Sequence, residues 1–194
     1  LAHRIFEETG QDTKRVLDDE GKNLILRKIA GDYENKLTVL KGNIKKLGYI
    51  SEVKSVISEF TQYDIGEEEM DEMLDHLDED SRLYYKLKDI RLLYEGFQDY
   101  LRERYITKEE LLDVLNSQVK ESELLKNSVV VLDGFTGFTP VQNRLILELM
   151  RCCKEVWVTV TMDERENPYA YKHPYQLFGL SKQMVTTLVR MAGE

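Results

Sequence analysis

Cysteine is nearly absent from this sequence: Cys152 and Cys153, adjacent on a segment read as helix, are the only two. Such a pair supplies neither a disulfide framework nor a metal site by itself, so both read as small half-buried side chains. Long apolar runs are missing too. No stretch approaches the roughly 18 to 20 residues that a membrane-spanning helix needs, and no charged-then-apolar leader opens the chain. A cytoplasmic setting is therefore expected. Basic excess is a third absence, because 27 Lys and Arg stand against 36 Asp and Glu, a formal charge of −9. That balance excludes the global basic footprint of a typical nucleic-acid binder, so any DNA contact must be local. No GxxxxGK[ST] phosphate loop occurs, which excludes ordinary ATP binding by this chain alone.

What is present suffices for a folded core: 194 residues, 42% of them hydrophobic. That length fits one domain with an excursion, or two small ones. The chain opens at Leu1 in the middle of a helical pattern, which reads as a piece of something longer. Leu1, Ile5 and Phe6 share a helix face and Gly10 follows as a stop. Asp18 and an acidic first turn precede a helix carrying Leu24, Ile25 and Ile29. From Tyr33, apolar residues at Leu37, Leu40, Ile44 and Leu47 predict another helix with a lysine-rich opposite face, ended by Gly48. Ser51 reads as the opener of a short helix with Val53, Val56, Ile57 and Phe60 on one face.

Glu67 to Asp80 contains nine acids and no Lys or Arg, while Met70, Met73, Leu74 and Leu77 keep helical spacing. It reads as a solvated helix with an acidic back. The acids recur around the helix without calcium-loop spacing, and His76 has no ligand-spaced His or Cys, so no metal site is expected there. Ser81 to Arg104 gives the longest helix, with a stripe of Leu83, Leu87, Ile90, Tyr94, Phe97 and Leu101. Thr107 to Glu110 forms a capping box ahead of Leu112, Leu115 and Val119.

The stretch from Ser128 to Gln142 carries the chemistry. Val129, Val130, Val131 and Leu132 form a continuous apolar run, predicted as a strand buried on both faces. Asp133 stands at its carboxyl end, where open α/β sheets place their ligands. Gly134 and Gly137 break the loop, Phe135 and Phe138 punctuate it, and Thr139-Pro140-Val141-Gln142 has a capping-box pattern that starts the next helix. Glu155 to Val160 reads as a second strand, parallel to the first. A polar and aromatic loop from Met162 to Leu180 follows, with Ser181 as the expected cap of a last helix. Two strands do not make a stable sheet, so further strands must come from elsewhere, or the layer must lean on the helices.

An apolar strand ending in Asp has the form of the magnesium-holding motif of P-loop ATPases, in which a following Glu positions the attacking water. Gly134 occupies that Glu position. Asp133 equally fits a residue that only caps a turn.

Four runs in this order, LAHRIFEETG, LDDEGKNLILRKI, VVVLDGFTGFTPVQNRLI and DERENPYAYKHPYQLFGLSKQ, resemble the AddB family, the B subunit of the bacterial AddAB ATP-dependent helicase/deoxyribonuclease. The likeness spans both ends of the chain and is weakest around Glu67 to Asp80. It implies an internal fragment of the amino-terminal helicase-like region. Residues 1–14 would end a helix of the preceding RecA-like portion, 15–127 would form a helical accessory subdomain, and 128–194 the returning βαβ part. The implied fold class is α/β and predominantly helical, a bundle packed on a partial RecA-like parallel layer.

The resemblance implies a role in DNA double-strand break repair and homologous recombination, alongside an AddA-type helicase/nuclease subunit and DNA. ATP, magnesium and an iron-sulfur cluster are implied for the parent, with the phosphate loop before Leu1 and the nuclease and cluster residues after Glu194. The isolated fragment is expected to hold no cofactor and no catalytic residue. Asp133 is the one residue that maps onto a motor motif, as a magnesium ligand only in company with the phosphate loop. Phe135 and Phe138 are candidates for stacking single-stranded DNA, or for packing beneath the loop. Lys36, Lys41, Lys45 and Lys46 are candidates for phosphate contacts, or a solvated helix face. The competing class is a stand-alone helical interaction module, docking a protein through its spine and the loop from Tyr169 to Phe178.

Overall fold

The computed structural model describes residues 1–10, 15–44, 46–102 and 104–193, with Leu47 described by its backbone alone. The chain is a predominantly helical α/β protein with two small parallel two-stranded sheets. In chain order the elements are α1 (Ala2–Thr9), β1 (Arg15–Val16), α2 (Asp19–Asp32), α3 (Leu47–Gln62), α4 (Glu67–Asp75) and α5 (Arg82–Leu101). Then come β2 (Tyr105–Ile106), α6 (Glu110–Gln118), α7 (Glu123–Lys126), β3 (Val129–Leu132), α8 (Pro140–Cys152), β4 (Glu155–Val158) and α9 (Gly179–Ala192). They divide into two compact units. Asp12–Leu111 forms a helical unit, and Leu1–Gln11 with Leu112–Glu194 forms a mixed unit.

The helical unit is built from local signals wherever these are strong. Asp18 accepts the Gly21 amide at 2.7 Å and starts α2; Ser81 accepts the Tyr84 amide at 3.1 Å and starts α5. Thr107 and Glu110 make the reciprocal capping box expected of them, at 2.7 and 3.2 Å. Around these, Leu26, Ile29, Ile50, Met70, Leu93, Phe97 and Leu101 form one core. Leu24, expected inside, is exposed; Leu26 takes its place. Gly96 lets α5 approach its neighbours, since a Cβ there would lie 2.7 Å from the Tyr33 ring and 2.9 Å from Ile29.

The helix expected from Tyr33 to Leu47 does not form. A 3-10 turn spans Glu34–Lys36, Leu37 is extended, and bends and turns run from Thr38 to Ile44. The cause is Asp89, buried on α5, whose carboxylate accepts the Thr38 amide and hydroxyl at 2.9 Å each and the Leu40 amide at 2.8 Å. Charge-assisted bonds to a buried carboxylate outweigh the backbone bonds a helix would offer the same amides. Leu37, Leu40 and Ile44 are buried all the same. Gly48 accordingly lies in the first turn of α3 instead of ending a helix, and Ser51 lies inside α3 instead of opening it.

Lys22 is buried with its Nζ 2.7 and 3.0 Å from the two Glu109 carboxylate oxygens and 3.4 Å from Ser58 Oγ. Burial works to raise the Glu109 pKa, but the hydrogen bonds led by Lys22 outweigh it and hold that carboxyl below its ordinary value.

In the mixed unit, Gly10 closes α1 in the left-handed region at φ 67°. Glu8 accepts from Ser122 Oγ at 2.5 Å and from the Leu124 amide at 2.9 Å, which fixes α7 immediately ahead of β3. The Ser122 hydrogen bond, with the backbone bonds beside it, lowers the Glu8 pKa. β3 and β4 pair in parallel, Val129 opposite Glu155 through Leu132 opposite Val158. Ile146, Met184, Leu188 and Met191 pack against the half-buried Leu132, Phe138, Val158 and Val160.

Two expectations are corrected here. β3 is not buried on both faces: Val129 and Val131 are exposed, Val131 at 60%, and so is Trp157 beside them at 61%. With only two strands and helices packed on one side, the other face has no cover among the described residues. Helix α9 begins at Gly179 and not at Ser181, which is buried in its first turn. Phe178 takes the left-handed conformation at φ 61°, and a Cβ on Gly179 would meet the Pro174 carbonyl at 2.8 Å. That close approach sets the start.

Asp89→Ala is expected to destabilise the helical unit by about 2 kcal/mol, because it strands the buried Leu40 amide and the partly buried Thr38 amide, and Asp89→Asn by less. Urea unfolding measures both. A lowered Glu109 pKa means a contribution present in full above the ordinary carboxylate range and lost as pH falls through the lowered value. The urea midpoint should therefore fall on acidification below about pH 4. Glu109→Gln should lower the neutral-pH midpoint and flatten that fall.

Candidate nucleic-acid interface

Asp133 and the loop after it are positioned by β3 on one side and α8 on the other. The register places Leu132 opposite Val158, so the next residues, Asp133 and Thr159, meet across the strand ends. Thr159 Oγ1 donates to the Asp133 carboxylate, and the Gly134 amide approaches the same Oγ1 at 3.4 Å. Gly134 sits at φ 79°, a left-handed turn that suits glycine and swings the chain out of the strand direction. The loop is then captured at its far end: Thr139 and Gln142 form the capping box, at 2.9 and 3.4 Å, with Pro140 in the first turn of α8.

Between these anchors the two phenylalanines separate in role. Phe138 is half-buried and packs against the core formed with α9. Phe135 is 39% exposed, and its ring lies 5.0 Å from that of Phe138 at 37°. Phe138 thus forms an apolar floor against which Phe135 rests while presenting its outer face to solvent. Thr159 was missed as the partner of Asp133, though aligning the two apolar runs by their ends points to it.

The donor set around Asp133 does not fit a magnesium ion by itself. One carboxylate already engaged by a hydroxyl is present, and the described residues contain no group of three His, Cys, Asp or Glu able to hold a metal. The ligands of any ion there would have to come largely from outside this chain. Cys152 and Cys153 are free and half-buried at the end of α8, and burial pushes the Cys153 thiol up, away from the thiolate a ligand needs.

The lysines lie in the helical unit. Lys36, Lys41 and Lys46 share no helix face: Lys36 ends the 3-10 turn, Lys41 sits in a turn, and Lys46 precedes α3. All three are exposed. Lys36 Nζ stands 4.9 Å over the Tyr33 ring, and Lys46 Nζ donates to Asn43 at 2.8 Å. Lys45 lies outside the described residues. In the loop before α9, Tyr169 and Tyr175 are exposed, Tyr175 stacked parallel on His173 at 5.0 Å. Lys182, buried in α9, pairs with Glu166 and ties that loop down. No helix among the described residues is long and apolar enough to cross a membrane.

A family model described as "ADDB, N-terminal" matches residues 1–194. The chain is 42% identical over 193 residues to the B subunit of the ATP-dependent helicase/deoxyribonuclease of Lachnoclostridium phytofermentans, covering 99% of the chain and 17% of that protein. It is 37% identical over 163 residues to the protein of the same name from Alkaliphilus oremlandii, covering 84% of the chain and 14% of that protein. The Clostridium perfringens counterpart is 29% identical over 194 residues, with 100% and 16% covered. The chain thus spans about a sixth of the length of these relatives.

The burial difference between the phenylalanines has a direct test. Phe138→Ala should cost about 2 kcal/mol of stability, and Phe135→Ala no more than about 1 kcal/mol, read from thermal or urea unfolding.

Proposed function

Since the chain belongs to the AddB amino-terminal family, we propose that it is the helicase-like amino-terminal part of the B subunit of an ATP-dependent helicase/deoxyribonuclease, acting as a DNA-contacting scaffold in double-strand break repair by homologous recombination. The reading is supported by relatives that carry this name and match 99% of the chain at 42% identity. In it, β3, α8 and β4 are one βαβ portion of a RecA-like domain, whose remaining strands come from the rest of the protein. Residues 15–127 are its accessory subdomain. An AddA-type subunit is the partner and supplies motor activity in the cytoplasm. ATP and magnesium bind only with the phosphate loop of the whole protein, an iron-sulfur cluster lies outside this chain, and the chain has no catalytic residue of its own.

One observation carries the DNA-contacting role. Phe135 is an exposed aromatic, backed by Phe138, on a glycine-broken loop at the carboxyl end of a parallel strand pair. That edge is where open α/β sheets place ligands, and a flat apolar face stacks bases irrespective of sequence. Asp133 remains as the acid of a nucleotide site, with Gly134 where a water-positioning Glu would stand. Lys36, Lys41, Lys45 and Lys46 supply phosphate contacts of lesser weight.

In the assembled complex, Phe135→Ala should weaken single-stranded DNA binding at least about fivefold, the lower end of one base-stacking contact. Unchanged affinity in a folded complex overturns the stacking role. The exposed, stacked His173 and Tyr175 favour a second reading, protein docking through the loop from Tyr169 to Phe178. A salt series separates the two: DNA binding that weakens steeply with salt supports the first, and no binding at low salt the second.

A further inference from the structure

The helical unit holds an open apolar groove of about 610 Å3. Its floor is Leu87 and Ile90 of α5, both buried; its walls are Phe60 of α3, Met73 of α4, Leu77 just beyond α4, and Leu83 at the start of α5. Leu83 continues the stripe of Leu87, Ile90, Tyr94 and Phe97, yet it is 58% exposed, and Met73 is 44% exposed. Two large apolar side chains left in water in one concavity are not the scattered exposure expected of any surface.

The rim is mainly acidic. Glu69 and Glu72 line the groove directly, on a segment with nine acids and no Lys or Arg between Glu67 and Asp80. Lys86 is the one cation among the lining residues, and His76 is turned back on its own helix, its Nδ1 2.7 Å from the Glu72 carbonyl. A polyanion such as DNA is repelled by such a rim.

We propose that this groove docks an amphipathic helical segment of a partner protein, with two or three large apolar side chains seated between Met73 and Leu83 and Lys or Arg flanking them against Glu69 and Glu72. Three helices presenting an apolar slot with an acidic edge suit the helix-in-groove mode of recognition, and the volume accommodates several side chains. Met73 is an adaptable wall, because an unbranched thioether repacks around different apolar shapes at little cost. The proposal is independent of Phe135 and of DNA binding.

A fluorescent amphipathic helix of leucine and lysine, about 15 residues long so that it is able to hold helical form, serves as probe. Titrated with the full 194-residue chain, it should bind saturably by anisotropy. A leucine and glutamate counterpart with the same apolar face should bind at least about tenfold more weakly. The double variant Met73→Gln, Leu83→Gln alters only exposed side chains; it should keep the parent circular dichroism and lose about tenfold or more in affinity. Leu24→Gln, exposed elsewhere on the unit, should change nothing. Equal binding by the double variant, or by the glutamate peptide, overturns the proposal. So does displacement of the probe by a single-stranded oligonucleotide, or a chain dimer in sedimentation velocity that the double variant dissolves, since a second copy would then be the occupant.

Discussion

A chain that leaves one compact unit at Gln11 and returns to it at Leu112 has to be tied on both sides of the departure. Loop closure over that many residues costs entropy, but only logarithmically in length, so a few well-placed bonds suffice. Each unit makes its own. In the helical unit, β1 and β2 pair in parallel, Arg15 opposite Tyr105 and Val16 opposite Ile106, and the Leu17 amide continues the ladder to the Ile106 carbonyl at 2.8 Å. In the mixed unit, the Glu8 carboxylate caps α7 through Ser122 and Leu124, 114 and 116 residues away in sequence. The position of β3, and hence of Asp133 and Phe135, follows from that second closure, because α7 leads into β3 with only Asn127 and Ser128 between.

Features set within a turn of the chain were legible in the sequence. Asp18, Thr107 and Thr139 all act as caps, because a cap needs only its own side chain and an amide two or three residues on. The parallel pairing of β3 with β4 was legible from two apolar runs separated by a helix, and four short runs in order pointed to the family. What failed depended on distant residues. Leu37, Leu40 and Ile44 have helical spacing and are buried, but Asp89, about 50 residues on, takes the amides a helix would use. The start of α9 was missed because Pro174 approaches Gly179 too closely for any other residue, which no periodicity records. In the candidate site, the loop and its residue types were readable; that Phe138 turns toward α9 while Phe135 does not was decided by the core it meets.

The two apolar exposures differ in kind. Across Val129, Val131 and Trp157 the surface is a sheet face whose two strands have no further strand partner among the described residues, the form that further strands or a covering layer complete. Between α4 and α5 it is a concavity with a charged rim, shaped for a side-chain cluster instead of a backbone ladder. A mostly apolar sheet face selects poorly among partners, whereas a slot edged by Glu69 and Glu72 discriminates by charge as well as shape.

Trp157 is the one tryptophan in the sequence, and it stands on that open sheet face with its indole N–H donating to Glu155 at 2.6 Å. Tryptophan emission, excited at wavelengths that the eleven tyrosines do not absorb, therefore reports from a single point, and that point is solvated. Its emission belongs at the long-wavelength end of the tryptophan range, quenchable by iodide or acrylamide. Any layer laid over β3 and β4 shifts it to shorter wavelength and shields it from quencher, so completion of the sheet announces itself without a label.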